Sequence, residues 1–395
     1  MRRRRPILLV VILALLALSA LEVVSTARSL ASVVHSSALA FFLSRVLPLV
    51  AIASLMAPLI HLPRQHAHRA SLLPEWLLYG YIAPAYLFLL ACSSYALFGA
   101  LFDGGRWLLG LGLPSSSMRL FGLSLPFVMA LYGGGLGQLW TRVERGLLEL
   151  PGMGAELSGL RVVQLSDLHA GGMVGARRLN RIARQVARLE PDLVVVTGDI
   201  VNASPQEAEL VAPILAALPA KLGVWACLGN HDHFVDGDAV AAVLERAGVH
   251  VLRNRGEVVQ RGGSAFWLGG VDDSWTRQAD LDAALAAKPE GLPVLLLAHD
   301  PSVWPAAVAR RVAVTLSGHT HGGQFGLVRL HPALSLARLM TPFTAGRFQR
   351  EGSVLHVSRG TANTLPIRLG APTEVGLFEL VDRAPSPRGV AAPEL

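Results

Sequence analysis

The sequence predicts two joined architectures: a multi-pass α-helical membrane region over residues 1–145 and, after a linker at 146–158, an α/β domain over 159–383. Three observations predict this. Long apolar runs dominate the first part, where Glu75 and Asp103 are the only acidic residues between Glu22 and Glu144. Beyond residue 158, short apolar runs rich in β-branched residues alternate with amphipathic stretches, the pattern of buried strands between helices. Five of those runs lead directly into segments carrying Asp, Asn or His.

In chain order, Arg2, Arg3, Arg4 and Arg5 precede a first apolar run at 6–25, and further runs follow at 37–62, 76–102 and 120–140. Each is long enough to cross about 30 Å of hydrocarbon. Trp76 and Trp140 stand at segment ends and Trp107 follows one closely, as interfacial aromatic residues do. Arg45 interrupts the second run and would snorkel to the interface. The first run also admits a reading as a cleaved signal peptide. Arg64, Arg69, Arg142 and Arg145 fall on the same side as the N-terminal arginines, against Arg28, Asp103, Arg106 and Arg119 opposite. The positive-inside rule then puts both termini and the second domain in the cytoplasm, at the inner (plasma) membrane. A fifth span or a twin-arginine signal would reverse that. His61, His66 and His68 read as an interfacial loop.

The linker is marked by Pro151-Gly152-Met153-Gly154, which breaks the pattern. Strands are expected at 161–165, 193–197, 224–228, 294–297 and 312–316, with helices at 175–189, 207–218 and 238–247. On the first helix Arg177, Arg178, Arg181, Arg184 and Arg188 share one face, opposite Leu179, Ile182, Val186 and Leu189. About 230 residues suffice for one domain with its own core. The tail at 384–395 is Pro-rich and expected to be disordered. The net charge of +7 comes almost wholly from arginine, with Lys221 and Lys288 the only lysines. That is a compositional bias rather than a nucleic-acid surface, and no nucleic acid is expected as partner. Cys92 in a span and Cys227 in a strand exclude a disulfide scaffold and a thiolate metal site. Asp272 and Asp273 read as turn residues. His233, His250, His331 and His356 read as surface or packing residues.

The five segments are Ser166-Asp167-Leu168-His169, Gly198-Asp199, Gly229-Asn230-His231-Asp232, Ala298-His299-Asp300 and Gly318-His319-Thr320-His321-Gly322-Gly323. In an open α/β sheet, ligands collect beyond the carboxyl ends of the strands, so these segments should meet at one edge. Asp, Asn and His without a thiolate suit hard-to-borderline divalent ions. Asp167 and His169 are two apart, so their side chains leave an extended loop on the same side. His319 and His321 repeat the arrangement.

The order D-x-H, G-D, G-N-H-D, a lone His and G-H-x-H resembles the calcineurin-like metallophosphoesterase superfamily, over roughly residues 158–380. Gly269-Gly270-Val271-Asp272-Asp273, residues 318–324 and Val357-Ser358-Arg359-Gly360 look like its membrane-attached bacterial branch. The resemblance implies an α-β-β-α sandwich of two mixed sheets and two divalent metal ions (Mn, Fe or Zn). It also implies a metal-dependent phosphoric ester hydrolase, attacking a phosphoester, phosphodiester or pyrophosphate bond through a metal-bridged hydroxide. By resemblance Asp199 bridges the ions. Asp167, His169 and His321 complete one site; Asn230, His299 and His319 complete the other. His231 then stabilises the phosphate and protonates the leaving group, work suited to a pKa near neutrality. Asp232 is the candidate to orient His231.

The competing reading is a non-catalytic membrane sensor or scaffold that retains the fold, against which the filled ligand set argues. Membrane spans beside the domain favour a lipid-linked substrate presented at the bilayer. So does the 332–343 segment, with Leu334, Leu336, Leu339, Met340 and Phe343 beside Arg338 and Arg347. It would form either an apolar lid at the cleft or a buried loop closing the sheet. No protein partner is implied.

Overall fold

The computed structural model describes residues 141–383, apart from 172–173, 325, 327, 329–330, 332 and 363–367, together with 390–391 and isolated positions before 141. The strands are β1 (Arg142–Glu149), β2 (Arg161–Leu165), β3 (Leu193–Thr197), β4 (Val224–Cys227), β5 (His250–Val251), β6 (Arg255–Arg261), β7 (Ser264–Gly270), β8 (Val294–Leu297), β9 (Val314–Ser317), β10 (Gly346–Arg350), β11 (Ser353–Val357), β12 (Glu374–Val381) and β13 (Val390–Ala391). They form two mixed sheets, ordered β1-β12-β2-β3-β4-β5 and β13-β10-β11-β9-β8-β7-β6. The helices are α1 (Ala176–Ala187), α2 (Ala208–Ala216), α3 (Asn230–Val235), α4 (Gly237–Arg246), α5 (Leu281–Ala286) and α6 (Trp304–Ala309).

Alternation along the strands builds the layers, because successive side chains leave a strand on opposite faces. Val163 and Leu165 of β2, with Val194 and Val196 of β3, join Leu179, Ile182 and Leu244 of the helices in one apolar layer. Their neighbours Val162, Leu193 and Val195 turn the other way, meeting Leu295, Leu297, Val314 and Leu316 between the sheets. Val294 and Leu296 then pack under α5 and α6 with Trp304. Apolar residues on both faces explain why these strands read as continuous runs. β2, β3 and β4 are parallel neighbours in one sheet, β8 and β9 in the other. Their carboxyl ends carry the five ligand segments.

Two boundaries differ from expectation. Residues 142–149, assigned to the end of the membrane region and the start of the linker, form β1, paired in parallel with β12 from Arg142↔Glu374 to Glu149↔Val381. The turn that follows is fastened down as well: the backbone N–H groups of Gly152 and Gly154 donate to the Asp382 carboxylate at 2.6 and 2.9 Å, and Met153 is buried. The charges of β1 suggested a juxtamembrane segment, but an edge strand carries charges too. Val390–Ala391, within the expected disordered tail, pairs with Phe348 and Gln349. The four expected spans lie outside the described residues, save isolated positions. Among the described residues no helix is long and apolar enough to cross a membrane.

Candidate metal centre

Sharp reversals at the strand ends aim the site. Asp167, His169, Asp199, His319 and His321 all have positive φ, between 44° and 70°. That conformation costs an L-residue roughly 1–2 kcal/mol, and strain of this kind gathers at functional sites. Glycine makes the close approaches possible. A Cβ on Gly229 would collide with Asp199 Oδ1, and one on Gly318 with Ser166 Oγ.

Asp167, His169 and His321 converge in one group. The Nε2 atoms of His169 and His321 face each other at 3.2 Å, and His321 Nε2 stands 3.4 Å from Asp167 Oδ1. His299 and His319 form the core of a second group, with His319 Nδ1 3.2 Å from His299 Nε2. Asn230 is buried, and its Oδ1 has no hydrogen-bond partner. Asp199 lies between the groups: its Oδ2 is 3.7 Å from His169 Nε2 and 3.3 Å from His299 Nε2. The structure thus brings Asp167, His169, Asp199, His299, His319 and His321 together, with Asn230 at the start of α3.

Electrostatics sharpen the picture. Burial pushes His169 down to about 3 and His319 down to about 4, so both are neutral bases near pH 7. Burial, then the Arg368 charge, holds His321 well below its ordinary value. Burial also pushes Asp167 up to about 6. Burial opposes the charged forms of Asp199 and His299 as well, but their mutual attraction prevails, holding Asp199 well below and His299 well above the usual ranges. Paired imidazole nitrogens facing each other, an orphaned amide oxygen and buried carboxylates are a donor set that fits divalent cations.

His231 reaches the same cluster. Its ring meets His169 edge-on with centroids 4.7 Å apart, and its backbone N–H donates to Asp199 Oδ1 at 2.8 Å. Asp232 does not orient it. The Asp232 carboxylate is fully buried and accepts the backbone N–H groups of Ile200, Val201 and Gly229, each at 2.9 Å. The partner of His231 Nδ1 is instead the backbone carbonyl of Asn202, at 2.9 Å. Asp232, at the third position of α3, turns back to the start of that helix. It ties the loop after β3 to the loop after β4.

The match to known proteins follows this geometry. Residues 160–323 match the calcineurin-like phosphoesterase family. A Bacillus subtilis (strain 168) protein named "Uncharacterized metallophosphoesterase YkuE" is 32% identical over 232 residues, covering 56% of this chain and 79% of that protein. The chain belongs to the calcineurin-like phosphoesterase family. A Danio rerio protein named "Transmembrane protein with metallophosphoesterase domain" is 33% identical, over 55% of this chain and 52% of that protein. The UDP-2,3-diacylglucosamine pyrophosphatase LpxG of Chlamydia trachomatis serovar D is 28% identical, over 65% of this chain and 94% of that protein. The chain spans about half the length of the vertebrate relatives.

Three features of this phosphoesterase-family site escaped sequence reasoning. Ser166 Oγ donates to Asp167 Oδ2 at 2.6 Å. Arg368 is buried against His321, with Nη2 3.1 Å from His321 Nδ1 and Nη1 donating to the His321 carbonyl at 3.0 Å. Burial pushes its guanidinium down to about 9. Trp275, 55% exposed, meets His319 edge-on at 5.1 Å and opens a groove of about 820 Å³ that includes Met340, Pro342 and Phe343. The segment expected to be either lid or buried loop is divided. Leu339 is 87% and Met340 74% exposed, whereas Phe343 is buried against Trp304 and Phe348. Arg347 turns away to pair with Glu149 of β1 at 2.9 Å.

Proposed function

We propose that this chain is a membrane-attached hydrolase of a phosphoester, phosphodiester or pyrophosphate bond, dependent on two divalent metal ions, with Mn, Fe or Zn suited to the donors. The observation that carries the reading is the position of the Asp199 carboxylate between the His169 and His299 groups. When bound, such a pair of cations neutralises phosphate oxygens and acidifies water near neutral pH. Asp167, His169 and His321 would hold one cation, Asn230, His299 and His319 the other, with Asp199 shared.

The chain's own contribution beyond ligation centres on His231. The Asn202 carbonyl, 2.9 Å from Nδ1, accepts the N–H of that atom, which leaves Nε2 as the atom through which the doubly protonated imidazolium would give its proton to the leaving oxygen. His231→Ala should retain both metals yet lose roughly 10²–10⁴ in rate on esters with poor leaving groups, and less on nitrophenyl esters. Elemental analysis of the full chain checks this. Loss of a metal would make His231 a ligand, and absence of turnover with two metals bound would favour a non-catalytic scaffold.

A lipid-linked substrate at a cytoplasmic membrane surface is the finer form of the proposal. It is supported by the apolar groove beside His319 and His321, by the exposed Leu339 and Met340, and by the transmembrane and pyrophosphatase names of relatives. Leu339→Ser with Met340→Ser should then slow a lipid pyrophosphate and spare a soluble nitrophenyl ester. A parallel fall on both would sink it.

A further inference from the structure

Glu207 stands outside the metal centre, yet it is 1% exposed. One carboxylate oxygen, Oε2, accepts three successive backbone N–H groups, those of Asn202 at 2.9 Å, Ala203 at 2.8 Å and Ser204 at 3.1 Å. The same side chain packs against Gly171, just beyond His169, where any Cβ would collide with the carboxylate. A capping box requires a single N–H to be accepted at the N-cap, and Ser204 with Glu207 supplies that. The other two bonds serve a different end. They fix the turn whose Asn202 carbonyl receives His231 Nδ1.

We propose that Glu207 is a positioning residue for His231: its carboxylate holds the 202–204 turn so that the Asn202 carbonyl accepts the Nδ1–H and Nε2 is turned to the cleft. The proposal rests on His231 acting on the leaving group. Removing the carboxylate leaves the Ala203 and Ser204 N–H groups without their acceptor and Asn202 N–H with only the Ala170 carbonyl at 3.2 Å, the turn relaxes, and the imidazole loses its fixed partner. Misplacement by about 1 Å is enough to cost on the order of 10²-fold in rate.

The test uses the metal-reconstituted full chain with an alkyl phosphodiester and bis(nitrophenyl) phosphate as substrates. Glu207→Ala should lower kcat on the alkyl ester by about 10–10²-fold with KM little changed, and on the nitrophenyl ester by less than about threefold. Glu207→Gln, whose amide oxygen can still accept, should recover most of the loss. The double variant Glu207→Ala/His231→Ala should be no slower than His231→Ala alone. Glu209→Ala, on the exposed side of α2, serves as the control. Equal losses on both esters, or losses that multiply in the double variant, overturn the proposal and leave Glu207 a helix cap. Should Glu207→Ala fail to fold, Glu207→Asp draws the oxygens back while keeping the charge. It must show the same leaving-group-selective loss, and equal rates on both esters relative to the parent overturn the proposal. A His231→Ala variant indifferent to leaving group overturns the underlying role of His231 itself, and that result is read without touching Glu207.

Discussion

Replacing Asp232 by Ala should damage the fold of the site rather than its acid–base chemistry. The carboxylate accepts N–H groups from Ile200 and Val201 through Oδ1 and from Gly229 through Oδ2, all buried. Truncation strands three donors, each costing about 1–3 kcal/mol when left unsatisfied. Part of that is offset, because burial and then the Asp199 charge push the Asp232 carboxyl up to about 6, so its ionised form is itself disfavoured in the fold. A net loss of roughly 3–5 kcal/mol follows from those donor costs. For a domain of this size, about 2–4 °C per kcal/mol applies, so the melting temperature should fall by about 10 °C. Asp232→Asn keeps an oxygen for Ile200 and Val201 and turns an amide toward Gly229, so it should lose about a third as much. The assay is thermal unfolding of the full chain in detergent, with metal content measured in parallel. Metal affinity should fall as well, since Ile200 follows Asp199 and Gly229 precedes Asn230. An Asp232→Ala variant with unchanged melting temperature and metal content, but a selective loss on poor leaving groups, would restore Asp232 as the partner of His231 and refute this reasoning.

Asp199→Asn removes the charge between the two cation positions and should cost on the order of 10² or more in rate, whereas His250→Ala, a ring stacked on Trp225 away from the site, should be near neutral; equal activities would sink the assignment. Affinity for Mn²⁺ should rise with pH from 5 to 8, because a cation must displace protons that Asp167 retains up to about 6 and that His299 retains above its ordinary value. His169 and His319, neutral from about 3 and 4 upward, add nothing in that window, and Asp167→Asn should flatten its lower part in a metal titration. Gly318→Ala forces a Cβ into Ser166 Oγ and the Asp167 carboxylate, and should lower metal occupancy with little change in melting temperature; full occupancy by elemental analysis would contradict the packing.

The sequence by itself determined the sheet interior and the identity of the donors. Runs such as 161–165 and 193–197 are apolar on both faces because each strand lies between a helix layer and a second sheet, and that burial is written locally in Val and Leu. Asp, Asn and His placed just beyond such runs are equally local signals. The tertiary structure decided what depends on distant pairings. β1 is a strand because β12, more than two hundred residues later, supplies its ladder, and no property of 142–149 alone announces that. Adjacency in sequence pairs Asp232 with His231, yet its carboxylate turns toward backbone donors of Ile200, Val201 and Gly229. The partner of His231 is a main-chain carbonyl, a group every residue carries and no sequence distinguishes. Arg368 meets His321 across 47 positions. Residue types are fixed by chemistry that acts at one position; hydrogen-bond partners are fixed by which backbones the packed sheets bring within 3 Å.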